Sequence, residues 1–388
     1  MRHLRTLQII LPSYYGCCIC STHFSAWKEG GIIFLWDYLK SISLPILIYG
    51  TGNGAEKLLV LCHKYHIHID GIFTSDNHVH KKAFFGYSVM RRCDVLDRYA
   101  HAVILLAFGT ALESVLTQIQ KLSHQYQVLV PDLPLMGGQE ITPEYITSNR
   151  ELISASKQLL GDTKSKQVFD AMLTAKLTGN LNIYLQEDTS RQEDMSILHL
   201  GSQERFLDLG AYTGDTIAEF LSLTKGKYAS IDAMEPDPHN FSKLAVSTAG
   251  LSHVRLYPFA SWSQSDTLTF TGKGGRNCAK KPDLPGKYMH LHKVKAVSVD
   301  SFGQDFTYIK MDVEGAEAET LLGMQETLRR CHPKLCISVY HKTDDFITLP
   351  LLLEQLCPGY RMYLRRNRCL PAWEIQLYSV YEKTQTSS

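Results

Sequence analysis

Four short stretches of this chain place reactive side chains at useful spacings. In the first, Asp208-Leu-Gly-Ala-Tyr-Thr-Gly-Asp215, Gly210 and Gly214 bracket Tyr212. Glycines there let the backbone turn tightly and approach a ligand. A helix starting at Asp215 would offer unsatisfied N–H groups and the positive end of its dipole to an anion. Asp208 closes the preceding apolar run and could accept from a ligand's ammonium, and Asp215 reads either as a ligand contact or as a helix cap. The second stretch, Met234-Glu-Pro-Asp237, follows roughly 20 residues after the turn, an offset that suits a carboxylate on ribose hydroxyls. Glu235 is the candidate, with Asp237 beside it.

The third stretch puts Asp312 and Glu314 where an apolar run ends. One residue apart, both can point into one cleft, to orient an acceptor, stabilise positive charge or hold a divalent cation. Glu317 reads as a structural acid in the first turn of the next helix. The fourth ends in His341, with Asp344 three residues on. A histidine titrating near neutrality can take a proton from a hydroxyl, and Asp344 would orient it or cap the following helix.

These residues need strands and helices to bring them together. Arg205 opens an α/β pattern, with strands expected at Phe206–Leu209, Tyr228–Met234, Val254–Phe259, Leu268–Phe270, Thr307–Met311 and Leu335–Tyr340. A helix is expected over Asp215–Leu223, and a closing hairpin at Tyr360–Leu364 and Trp373–Val380. A similar grammar opens earlier: apolar runs at Leu44–Tyr49, Ile67–Phe73, Val103–Ala107 and Gln127–Val130 read as buried parallel strands. Between the two patterns, Glu151–Leu160 and Gln167–Leu177 read as amphipathic helices. The expected organisation is a lead-in (1–43), a Rossmann-like nucleotide-binding-type unit (44–133), a helical connector (134–200) and a second α/β unit (201–388). The fold class is α/β, with two Rossmann-like doubly wound domains.

The first unit carries its own turn, Gly50-x-Gly52-x-Gly54, with Asp76 roughly 20 residues further on, where a ribose acid would stand. That signal is weak alone: it fits a bound nucleotide or nucleotide-sugar, an inert scaffold or a dimerisation unit. Lys81, Lys82, Arg91 and Arg92 fit phosphate contacts or a solvated surface.

With 44% hydrophobic and 20% charged residues over 388 positions, the chain can bury more than one core. Its net charge of +1 gives no broad basic field for nucleic acid. The ten cysteines form no disulfide framework, so a reducing cytoplasm is the simplest setting. Cys17, Cys18 and Cys20 lack a second ligand pair and read as packed thiols, so no metal site is assigned to them. The short run Leu7–Leu11 after Arg2 and Arg5 falls short of a secretory signal, and no stretch is long enough for a membrane span.

Taken together, FLDLGAYTGDT, MEPDP, YPFASW, VSVDSF, YIKMDVEGAEAETLLG and ISVYH resemble the FkbM family of methyltransferases, over about residues 200–382. The resemblance implies a class I, seven-strand methyltransferase fold, S-adenosylmethionine (SAM) as cofactor, and O-methylation of a sugar, glycan precursor or natural product. It places Asp208, Gly210, Gly214 and Glu235 at the cofactor, joined by Tyr212, Asp215 and Asp237 from the same two motifs. It places Asp312, Glu314 and His341 on the acceptor side. Need for a divalent metal and oligomeric state stay open. Thr271–Lys295 does not match the family pattern and reads as an acceptor-facing loop. Two rivals are a nucleotide-sugar binding protein with a non-catalytic methyltransferase fold, and a nucleotide-sugar oxidoreductase acting through the first unit. The second lacks a clear Tyr-x-x-x-Lys pair.

Overall fold

The computed structural model describes residues 32–76, 83–186, 189–271, 291–371 and 373–382. Cys17, Cys18, Cys20, the Leu7–Leu11 run, Lys81, Lys82 and most of Thr271–Lys295 lie outside the described residues. Among the described residues no helix is long and apolar enough to cross a membrane.

After helix α1 (Leu35–Ser41), a first sheet forms from β1 (Ile46–Tyr49), β2 (Gly71–Thr74), β3 (Ala83–Phe84), β4 (Tyr87–Arg91), β5 (Val103–Leu106) and β6 (Gln127–Leu129). Its order is β3-β4-β2-β1-β5-β6, parallel except for the β3–β4 hairpin. All four residues of β1 and of β5 are buried, which is why these strands read as unbroken apolar runs. The intervening helices are α2 (Asn53–Lys64), α3 (Arg92–Arg98) and α4 (Glu113–Ser123). The β3–β4 hairpin has no counterpart in the strands expected from sequence. Its strands are short and half exposed, so no apolar run marks them.

The segment between the sheets folds into α5 (Pro143–Ser148), α6 (Arg150–Gln158), α7 (Thr163–Thr178), α8 (Leu181–Leu185) and α9 (Arg191–Ser196). Asp162 caps α7 by accepting from Ser165 N at 2.8 Å, and Gly179, at φ 64°, ends it. The expected amphipathic character fails for α7. Val168, Phe169, Met172, Leu173, Ala175 and Leu177 are all buried, as in a helix enclosed by protein on most sides.

The second sheet contains β7 (Arg205–Leu209), β8 (Ser230–Met234), β9 (Val254–Tyr257), β13 (Tyr308–Met311), β14 (Lys334–Ser338), β15 (Tyr360–Arg366) and β16 (Ile375–Tyr381). Its order is β15-β16-β14-β13-β7-β8-β9. Only β16 runs against its neighbours. This is the seven-strand class I methyltransferase arrangement. Helices α10 (Asp215–Leu223), α11 (Pro238–Thr248), α12 (Glu317–Leu322), α13 (Gln325–Cys331) and α14 (Asp345–Leu356) complete it. The strand expected at Leu268–Phe270 lies elsewhere. It is part of β11 (Asp266–Thr271), which joins β10 (Ala260–Ser261) and β12 (Leu291–Val297) in a small separate sheet.

One apolar core runs from Leu47 and Ile104 of the first sheet, through Phe169 and Met172 of α7, to Ile309 and Leu377 of the second. Backbone bonds reinforce it: Thr110 N donates to Leu370 O at 2.7 Å and Val130 N to Gly179 O at 2.8 Å.

Candidate active site

In the second sheet the strand order reverses between β7 and β13, and open α/β sheets bind ligands in the crevice at such a point. A cavity of about 280 Å³ lies there, lined by Gly210, Tyr212, Asp215, Glu235, Asp237, Asp312 and Glu314 among others. These are seven of the ten residues singled out from sequence on this side of the molecule. The other three stand just behind the lining: Asp208 and His341 are buried, and Gly214 is the N-cap of α10.

The turn after β7 depends on its first glycine. Gly210 has φ +82°, and a Cβ there would sit 1.9 Å from the carbonyl oxygen of Asp312. The glycine therefore lets the β7 and β13 loops close on each other. Tyr212 (φ 47°) and Glu314 (φ 53°) occupy the same left-handed region with full side chains. Such conformations cost on the order of 1–3 kcal/mol each and concentrate at functional sites. Asp215 is not the helix cap; Gly214 holds that position, with no side-chain cap. The capping carboxylate belongs to the next helix, where Asp237 accepts from His239 N at 2.9 Å and Asn240 N at 3.0 Å.

Glu235 sits at the edge of the cavity with Oε2 accepting from Tyr212 N at 2.9 Å and Oε1 from Asp237 N at 2.8 Å. Burial pushes its acid upward, against these two backbone bonds. Each oxygen still has a lone pair for a hydroxyl. Asp208 is fully buried, and neither of its oxygens has a hydrogen-bond partner. Burial raises its pKa to about 7, with Lys310 on the neighbouring strand pulling the other way.

Lys310 was not anticipated as a site residue. It lies in β13, lines the cavity and pairs with Asp312 at 3.3 Å. Burial opposes its charge, but Asp312 and Asp208 outweigh that and hold it protonated. An apolar strand pattern leaves no way to tell which face a lone lysine takes.

His341 departs most from expectation. It lies beyond the end of β14, with Nδ1 at 2.8 Å from Glu317 Oε1 and Nε2 at 3.3 Å from Asp312 Oδ1 and 3.6 Å from Glu314 Oε2. Burial disfavours the imidazolium, yet Glu317, Asp312 and Glu314 hold its pKa up at about 10. The expected near-neutral base is therefore a cation at neutral pH. Glu317 is completely buried and is the histidine's partner, not only a helix-end acid. Asp344 does not orient His341; its Oδ1 accepts from Gln139 N at 3.4 Å. A contact across 24 residues, between the loop after β14 and the first residue of α12, has no periodic signature in sequence.

The first sheet has a second cavity of about 280 Å³ at its own strand-order reversal, lined by Gly52, Gly54, Lys57 and, from the far end of the chain, Trp373. Lys57 donates to the carbonyls of Pro134 and Leu135 at 2.6 and 3.0 Å. Gly50 and Asp76 are not in the lining. Asp76 accepts from Cys93 N at 3.0 Å and pairs with Arg92 at 3.4 Å, while Arg91 pairs with Asp94 at 3.0 Å. The acid expected to meet a ribose is engaged by the start of α3.

Residues 208–368 match the family model described as the methyltransferase FkbM domain. The 2-O-methyltransferase NoeI of Sinorhizobium fredii (strain NBRC 101917 / NGR234) is 27% identical over 144 residues, covering 32% of this chain and 58% of that protein. The match thus spans little more than half of that relative's length. The crystal structure of methyltransferase FkbM from Methylobacillus flagellatus KT aligns over 87% of this chain and 90% of its own, at 20% identity and a TM-score of 0.63. That likeness of fold takes in both sheets.

Proposed function

We propose that this chain, whose residues 208–368 match the methyltransferase FkbM domain model, transfers a methyl group from SAM to a hydroxyl of a sugar, glycan precursor or related small molecule. The observation that carries this reading is the cleft at the strand-order reversal, with the Gly210 turn and Glu235 on one side and Asp312 and Glu314 on the other. The residues fit SAM: Glu235 retains lone pairs for ribose hydroxyls, α10 presents an N-terminus without a side-chain cap, and Asp208 is a buried carboxylate without a partner. Bound SAM would supply an electrophilic methyl group. The negative charge of Asp208, when ionised, favours a cationic ligand at the turn above it.

On the acceptor side, Asp312 and Glu314 accept hydrogen bonds from substrate hydroxyls and fix the attacking oxygen. Alignment of this kind supplies most of the acceleration in a displacement. The hydroxyl proton goes to one of these carboxylates, because Glu317, Asp312 and Glu314 keep His341 protonated. The likeness to a 2-O-methyltransferase supports oxygen as the acceptor atom.

Titration calorimetry with SAM tests the cofactor half of the reading. The full chain is expected to bind in the micromolar range, and Glu235→Ala to weaken binding at least tenfold. Transfer of a labelled methyl group to a panel of sugars tests the acceptor. A folded protein that ignores SAM would overturn the proposal.

A further inference from the structure

The strand order of the first sheet reverses between β1 and β5, and its cavity of about 280 Å³ opens there, at the carboxyl ends of β1, β5 and β6. Open α/β sheets take their ligands at such a point. The turn after β1 forms one wall, the loops after β5 and β6 form another, and Trp373 comes in from the loop before β16. The lining combines two kinds of surface. Helix α2 begins in it, with no side-chain cap on Gly52, and Lys57 stands in the next turn, its ammonium held by the carbonyls of Pro134 and Leu135. Phe108, Leu133 and Trp373 add apolar and aromatic surface. Among the described residues that line the cavity there is no carboxylate.

Of the glycines in the lining, packing accounts for Gly54 and Gly109. A Cβ on Gly54 would lie 2.2 Å from the carbonyl oxygen of Ala107, and one on Gly109 would lie 1.8 Å from the Trp373 ring. Gly52 is different. Its extended backbone, at φ −93°, is open to any residue, and a Cβ there would meet nothing within 4 Å. Neither conformation nor packing asks for glycine at this position. What its bare backbone does allow is close approach of a ligand.

We propose that this cavity binds a nucleoside phosphate, with the phosphate at the turn formed by Gly52, Asn53 and Gly54 and the base against Trp373 and Phe108. The unsatisfied N–H groups of the first turn of α2 and the positive end of its dipole favour an anion, and Lys57 adds a full positive charge. Indole and phenyl rings offer the flat apolar surface on which a base stacks. The volume lies at the small end of ligand pockets, which suits a mononucleotide better than a dinucleotide. Asp76 is engaged by the start of α3, so the ribose meets no acid, and recognition rests on the phosphate and the base. The cavity shares no lining residue with the cleft of the second sheet, so this binding does not depend on the methyl-transfer reading.

The test is titration calorimetry of the full-length protein with the mono- and diphosphates of uridine and adenosine, each with and without excess SAM, and with inorganic phosphate alone. One saturable nucleotide per chain is expected, unchanged by SAM. Gly52→Asp separates a ligand site from a structural turn. Aspartate is a favoured N-cap and has open space there, so the melting temperature should hold or rise, while the added negative charge should weaken nucleotide binding at least tenfold. Trp373→Leu should weaken it at least about fivefold through lost stacking. Circular dichroism verifies that each variant folds. No saturable nucleotide binding, or binding indifferent to Gly52→Asp, overturns the site. Displacement of the nucleotide by SAM would put it in the other cleft and overturn the site equally. Inorganic phosphate bound as tightly as the nucleotides would overturn the nucleoside assignment. Nucleotide binding lost in Gly52→Asp, by a protein that ignores SAM, supports the site and sinks the methyl-transfer reading instead.

Discussion

Asp208 links the fold of this protein directly to pH. Its ordinary pKa is 3.8, and burial raises it to about 7 in the folded chain. Between those values the unfolded chain loses its proton while the folded chain keeps it. Rising pH therefore removes stability across that window, and the loss is complete above about pH 7, on the order of 4 kcal/mol. Asp208→Asn escapes this penalty. Its melting temperature should exceed that of the wild type by a margin that widens from pH 5 to pH 8; a margin constant with pH would refute the assignment. At Gly210 steric contact decides. A methyl group there meets the Asp312 carbonyl at 1.9 Å with φ at +82°, so Gly210→Ala must either part the two loops or unfold locally. It should cost at least about 2 kcal/mol in urea denaturation, more than a surface substitution.

At the scale of elements, the side of the cleft formed by the Gly210 turn and Glu235 depends on where helices begin. Helix α11 starts at an Asp237 cap, with Pro238 in its first turn. Loss of such a cap costs about 1 kcal/mol. Asp237→Ala should lower the urea midpoint accordingly, and Asp237→Ser, which can still cap, should recover most of it. Equal loss in both variants would show that the carboxylate serves something other than the helix. The acids at 234–237 were legible because a strand end is a local feature; that Asp237 caps a helix following it was not read from the sequence. The β3–β4 hairpin was not: two short, half-exposed strands are recognisable only once β2 offers an edge to pair with.

Across the whole molecule, α7 joins what sequence presents as two separate units. Its Phe169 ring meets Phe346 of α14 at 5.2 Å, and its Lys176 reaches Asp132, beyond β6, at 2.8 Å. Trp373, from the loop before β16, fills the space a Cβ on Gly109 would need. A core shared in this way should unfold as one unit. Calorimetry should show a single transition, and Phe169→Ala should lower it by about 3–5 kcal/mol of stability without splitting it. Two resolved transitions would mean that the two sheets fold independently.

Sequence by itself determined the two α/β patterns, most of the strands of the second sheet, and the paired motifs around Gly210 and Glu235 that line one cleft. Strand periodicity, glycine spacing and strand-end acids are local, and local patterns survive in a linear string. Only the tertiary structure decided that Glu317 belongs with His341, that Lys310 faces the cleft, that Asp76 is held by α3, and that α7 is interior. Each of those depends on which remote surfaces meet. The charge of His341 follows the same rule: an imidazole's protonation is set by the carboxylates around it, and its neighbours here come from the end of β13 and the start of α12.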